Sequence, residues 1–133
     1  MATLQKIRTI ANNTRRWAEK EADKEGFDPE TLSCFCARGA AELFRRLKRA
    51  GLSPRLAYAY DGDCWAHIYV RCERYLIDIT ASQFGHPNVV VRHTNDITNE
   101  GWYWTEVVNT FESVEDLQRT QEELGWPEEQ IAK

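Results

Sequence analysis

The sequence predicts an α+β domain in which helices pack on an antiparallel sheet of about five strands. Three observations carry this prediction. Apolar residues recur at helical spacing through the first fifty residues. From Pro54 onward the texture changes to short runs rich in aromatic and β-branched residues, separated by polar breaks. Helices and strands therefore fall in separate blocks, which is the order of α+β layers and not of alternating α/β units.

Residues 3–24 read as a helix, with Leu4, Ile7, Ile10, Ala11, Thr14, Trp17, Ala18 and Ala22 along one stripe. The segment "EGFDPETLS" interrupts it, with Gly26 and the turn pair Asp28-Pro29. A second helix is predicted from Cys36 to Ala50, carried by Ala37, Ala40, Ala41, Phe44, Leu47 and Lys48. Gly51 follows as its left-handed terminator, and Pro54 lies just beyond. Arg45, Arg46, Lys48 and Arg49 crowd its last turns, where cations complement the carboxyl-end dipole. That account of the basic run is preferred to nucleic-acid binding.

Strands are predicted at 55–60 ("RLAYAY"), 64–70 ("CWAHIYV"), 74–80 ("RYLIDIT"), 88–93 ("NVVVRH") and 102–111 ("WYWTEVVNTF"), in the order of a meander. Ser113, with Asp116 three residues on, opens a closing helix over 113–124 whose inner side is Val114, Leu117 and Leu124. Residues 127–133 add a short helical turn or fray.

At 133 residues, with 42% hydrophobic and 29% charged side chains, the chain reads as one globular domain spanning 1–133. Its net charge of -4 gives no general attraction to nucleic acid. No apolar run reaches membrane-spanning length and the amino terminus lacks the core of a signal peptide, so a cytoplasmic protein is expected. The four cysteines (34, 36, 64 and 72) are then expected to be reduced. Their spacing contains no C-x2-C pair, so a zinc site built from Cys34, Cys36, Cys64 and His67 ranks last among the readings.

A thiol at a helix start, where a hydroxyl or carboxylate cap is the usual choice, asks for an explanation. If the strands 64–70 and 74–80 form a hairpin centred on Cys72-Glu73, Val70 faces Tyr75, Ile68 faces Ile77 and His67 faces Asp78. A carboxylate on one imidazole nitrogen fixes the tautomer and stabilises the imidazolium, leaving the other nitrogen to act on a nucleophile. The positive end of a helix dipole and a neighbouring imidazolium both favour a thiolate, so Cys34 or Cys36 is the candidate nucleophile. Taken singly, each residue has a duller role. A cysteine at a helix start is more often a small buried hydrophobe, and a strand histidine a half-buried structural residue. His86 and His93 are expected to be solvent-exposed loop residues.

The segment 34–84 resembles the core of the transglutaminase-like superfamily of papain-like cysteine enzymes. The resemblance rests on Cys36 at the head of a helix, Ala40 four residues later, and Gly51 and Arg55 before "LAYAY". It continues with His67 in "HIYV", Tyr69 in the aromatic place, and Asp78-Ile79-Thr80 followed by Gln83-Phe84. Cys34 falls two residues early for this pattern. The "RGxxCxE" approach of arylamine acetyltransferases is missing, and no glutamine lies between Lys6 and Cys36 to serve as the papain-type oxyanion donor.

The resemblance implies a Cys36–His67–Asp78 triad performing acyl transfer on amide bonds of a protein or peptide substrate through a thioester, as a peptidase, deamidase or transglutaminase, with no cofactor or metal. The oxyanion donor is then a backbone amide near Cys36, or Trp17, Asn12 or Asn13. Trp65, Tyr69, Trp102, Tyr103 and Trp104 are candidates to shield the pocket, or core residues. The competing expectation is a non-catalytic protein-binding modulator on the same fold, of the kind a phage or mobile element encodes.

Overall fold

Helix α1, Ala2–Lys24, forms along the predicted stripe: Ile7, Ala11, Thr14, Ala18 and Ala22 are buried, while Leu4, Ile10 and Trp17 lie half-buried at its margins. The computed structural model describes residues 2–33, 35–60, 66–97 and 107–124. Cys34, Cys64, Trp65, Trp102, Tyr103, Trp104 and the 127–133 segment lie outside that set, so the shielding aromatics are represented only by Tyr69.

Helix α2, Cys36–Arg49, lies between α1 and the sheet, over strands β1 (Pro54–Tyr60) and β2 (Ala66–Cys72). Its carboxyl end closes as the sequence predicts. Gly51 takes φ +85°, its N–H donates to the Lys48 carbonyl (3.0 Å), and the Leu52 N–H donates to the Leu47 carbonyl (3.1 Å). That pair of bonds is a Schellman motif, which occupies carbonyls the helix leaves without partners. Glu42 gathers Arg45, Arg46 and Arg49 on the outer face. Such exposed pairs contribute at most about 1 kcal/mol each, whereas fully burying a leucine or phenylalanine contributes about 1.5–3 kcal/mol. Leu43, Phe44 and Leu47 therefore fix the helix in place, and the ion pairs decorate it. Lys48, included in the predicted stripe, is exposed and reaches over the Phe44 ring instead.

The remaining elements are β3 (Tyr75–Asp78), a 3-10 turn at Ala81–Phe84, β4 (Val90–His93), the short α3 (Thr94–Ile97), β5 (Val107–Phe111) and α4 (Val114–Leu124). The sheet is five-stranded, every pairing in it is antiparallel, and its order is β4-β3-β2-β1-β5. The meander holds through β4 and then fails: β5 crosses to the opposite edge and pairs with β1, placing Phe111 across from Leu56. There Phe111 enters the helix-side core beside Val114 and Leu117 of α4. The Asp116 N–H donates to the Ser113 hydroxyl (3.1 Å), the cap expected at the start of that helix.

The sheet has two buried faces. Leu56, Ile68, Val70, Cys72, Ile77 and Phe111 pack against the helices, and Ala57, Tyr69, Leu76, Ala81 and Val90 form a smaller cluster on the far face. His86 and His93 are half-buried and not solvent-exposed as expected. His93 packs on the edge of Tyr75 and its Nδ1 accepts the Asn95 N–H at 3.2 Å.

Candidate active site

The site begins with the loop that delivers Cys36. Asp28 accepts the Glu30 N–H (2.9 Å) and the Thr31 hydroxyl (3.1 Å), and these bonds hold its carboxyl below the usual carboxylate range. Leu32 is fully buried yet takes φ +55°, a left-handed conformation that leucine rarely adopts. Its carbonyl accepts the Phe35 N–H at 3.0 Å. Phe35 is fully buried in an aromatic nest, its ring 6.2 Å from Trp17, 5.8 Å from Phe27 and 4.6 Å from the Arg38 guanidinium, which is ion-paired with Glu25. This anchor sets where α2 starts. Phe35 is the N-cap and provides no side-chain cap, so Cys36, the first helical residue, sits at a helix start whose leading N–H groups have no partner within the helix.

The sulfur-bearing helix then runs close to the end of β3. A Cβ at Gly39 would lie 3.2 Å from Thr80 Cγ2 and 3.3 Å from Ile79 Cδ1. A side chain here would oblige Thr80 and Ile79 to give way by a few tenths of an ångström. Gly39 was not among the predicted site residues, although a glycine inside a strong helical pattern is itself a sign of close packing.

His67 and Asp78 come from the far face of the sheet, where they alternate with the helix-facing Ile68 and Ile77. The hairpin register differs from the predicted one. Cys72 pairs with Tyr75, Arg71 with Leu76 and Val70 with Ile77, so the turn is Glu73-Arg74 and the register moves by two residues. His67 and Asp78 are consequently diagonal neighbours and not directly opposed. A two-residue shift keeps side chains on the same face, and diagonal positions remain within reach of long and aromatic side chains. The contact forms: His67 Nε2 donates to Asp78 Oδ2 at 2.6 Å. Asp78 Oδ1 accepts the Thr80 N–H (2.9 Å) and the Thr80 hydroxyl (3.3 Å), so both carboxylate oxygens are engaged. The imidazole lies between Tyr69, stacked at 6.0 Å, and the Phe84 ring, which meets it edge-on at 4.9 Å.

Three layers of chain thus converge at the end of β3. His67 and Asp78 are each 1% exposed and Cys36 is 7% exposed, so all three residues are buried and Cys36 is the least so. Burial pushes the His67 pKa down, but the Asp78 charge and hydrogen bond, followed by the hydrogen bond and charge of Cys36, outweigh it and raise the pKa to about 10. With Nε2 committed to Asp78, Nδ1 is the nitrogen left for the thiol. The balance favours a protonated ring at neutral pH, held in orientation by a carboxylate.

Cys72 makes a useful contrast. Burial and the Glu73 charge push its thiol up to about 11 against the Ser53 backbone bond, and it remains a core residue. Among the described residues no group of three or more His, Cys, Asp or Glu side chains is placed to hold a metal ion. Asn12 and Asn13 are exposed on α1, and the Asn13 side chain accepts a bond from Arg16. Trp17 packs on Phe35 with Arg46 over its ring. Of the groups considered, the amides at the head of α2 are the ones that adjoin Cys36 in the chain.

The fold and site define an α+β protein with a buried Cys-His-Asp constellation, in which, among the described residues, no helix is long and apolar enough to cross a membrane. No protein-family model, no curated protein and no solved structure matches the chain.

Proposed function

We propose that the protein is a thiol acyl-transfer enzyme of transglutaminase-like type that acts on amide bonds of protein or peptide substrates, with Cys36 as nucleophile, His67 as acid–base and Asp78 as the group that orients it. The observation that carries this reading is the buried His67–Asp78 pair, 2.6 Å apart, with the Cys36 thiol at the head of α2 among the groups that favour the charged ring. The thiol at the head of α2, together with an imidazole already oriented by a carboxylate, favours the enzymatic reading over a non-catalytic binding protein.

The chemistry runs through a Cys36 thiolate paired with a protonated His67. The Cys36 thiolate attacks the amide carbonyl and a C–S bond forms. The carbonyl electron pair moves onto oxygen, where the leading N–H groups of α2 receive it. Collapse breaks the C–N bond, and the His67 proton passes to the departing amine, or to ammonia when the amide is a side-chain carboxamide. Water or an amine then attacks the thioester, His67 takes its proton, and loss of the sulfur as thiolate restores the ion pair. Water as acceptor gives hydrolysis and an amine gives transamidation, so exclusion of water governs the outcome.

The test is intact-mass analysis after incubation with glutamine-containing peptides, followed by mapping of the modified residue. An acyl adduct on Cys36 that disappears in Cys36→Ala and fails to form in His67→Ala supports the reading. Folded wild-type protein that neither forms an adduct nor shows a Cys36 more reactive to iodoacetamide than Cys72 sinks it.

A further inference from the structure

Arg15 lies on the inner side of α1, 3% exposed, in a place where a guanidinium cannot shed its charge and must be satisfied internally. Its partners are not scattered. Nε donates to Glu19 Oε2 (2.8 Å), one turn along the same helix. Nη2 donates to the carbonyls of Glu30 (2.8 Å) and Pro29 (3.4 Å), in the loop that leads to Cys36. Nη1 donates to the Ile79 carbonyl (2.9 Å), the peptide next to Asp78, to the Ser82 hydroxyl (2.7 Å), and more weakly to the Asn88 carbonyl (3.3 Å). Ser82 Oγ in turn donates to the Thr31 carbonyl (2.9 Å), a second tie between the same two segments.

We propose that Arg15 is the positioning residue of the site: its buried guanidinium clamps the loop that delivers Cys36 to the segment that follows Asp78, and so fixes the distance from the thiol to the imidazole. The inference rests on reading Cys36, His67 and Asp78 as an active site. Ser82 ties the same two segments by a single bond, whereas Arg15 reaches several acceptors in both. The geometry also requires arginine in particular. A planar fork has five donors spread along two edges, enough to span acceptors on both segments, whereas an ammonium donates from one point. Gly39 sets how close α2 comes to Ile79 and Thr80, and Arg15 sets where along that contact the loop before α2 is held.

The experiment reads the thiol–imidazole pair itself, without depending on turnover. Arg15→Lys keeps the charge and removes the fork. Folding is checked by circular dichroism and a cooperative melt, and two quantities are measured: the iodoacetamide alkylation rate of Cys36 and the His67 titration midpoint by NMR. A displacement of about 1 Å costs on the order of a hundredfold in reactions between positioned groups, so the Arg15→Lys alkylation rate is expected to drop at least about tenfold. The His67 midpoint is expected to fall toward that of Cys36→Ala, because the thiol contribution is lost while Asp78 stays in place. If Arg15→Lys does not fold, Ser82→Ala, which removes one Nη1 acceptor and the Thr31 tie, is expected to move both quantities the same way by a smaller amount. A folded variant in which neither quantity moves, against a wild-type midpoint near 10, overturns the proposal alone. A folded wild-type protein in which Cys36 is alkylated no faster than Cys72 overturns the active-site reading and the proposal with it.

Discussion

A histidine withdrawn from water ordinarily gives up its proton, since burial penalises the charged ring. At His67 that penalty is the largest single influence, and it is nevertheless outweighed by Asp78 and Cys36. Replacing Asp78 with Asn removes the two strongest favourable influences and leaves the burial in place. The His67 midpoint is expected to fall far below 10 in this variant, so that the ring is largely neutral at pH 7, and NMR titration checks it. An unchanged midpoint contradicts the assigned contact. Turnover in Asp78→Asn is expected to drop by roughly two to four orders of magnitude, and in Cys36→Ala to background, with the fold retained. Cys34→Ser is expected to keep most of the activity, measured on the same peptide substrates. These three positions were legible because each carries a local mark: a thiol at an uncapped helix start, a histidine in an aromatic strand, an aspartate two residues before a threonine. Arg15 was not. A buried guanidinium satisfied mainly by main-chain carbonyls leaves no spacing in the sequence, and beside Arg16 it reads as an ordinary basic pair.

At the scale of elements, the position of α2 against the end of β3 decides whether the sulfur reaches the ring. Gly39→Ala gains about 0.5–1 kcal/mol of helix propensity, and it introduces a Cβ 3.2 Å from Thr80 Cγ2 and 3.3 Å from Ile79 Cδ1. Overpacking of this kind costs roughly 1–3 kcal/mol, so the net stability change is small or mildly unfavourable. Activity is expected to suffer more than stability, because the helix relieves the contact by moving away from His67. Thermal melts beside turnover assays check this, and Gly39→Ala with full activity speaks against the close approach as a determinant. The hairpin behind the site illustrates what sequence reading reaches. The predicted face was right and the predicted register was two residues off. Cys72, read as part of the turn, is a small buried residue that extends β2 instead, which moves the turn to Glu73-Arg74. Glu73 pays with φ +56°. Glu73→Gly removes that strain, worth about 1–2 kcal/mol, against a somewhat smaller entropic loss, and is expected to hold or slightly raise the denaturation midpoint. A clearly lowered midpoint argues against a left-handed residue in the turn.

Across the whole molecule, the order of helices and strands followed from periodicity, but the place of β5 did not. Chain-adjacent strands usually pair, which favours a meander, whereas the crossing to β1 is stabilised by non-local terms, the β1–β5 ladder and the burial of Phe111 with α4. The same long-range assembly makes the site a term in global stability. Unfolding separates His67 from Asp78 and Cys36 and returns the ring to an ordinary pKa near 6.5, while in the fold it stands at about 10. The folded state therefore binds this proton more tightly. Its contribution is fully present below pH 6.5 and is lost as pH rises from there through about 10, at up to about 1 kcal/mol per pH unit. Other groups titrate in the same range, so the comparison is with His67→Gln, which cannot take up the proton and keeps a similar volume. Urea unfolding of both proteins at pH 6, 8 and 10 is expected to show the wild-type curve falling toward that of the variant as pH rises. Parallel curves across that range mean that the folded protein holds no such proton, and the ion pair on which the mechanism depends is then absent.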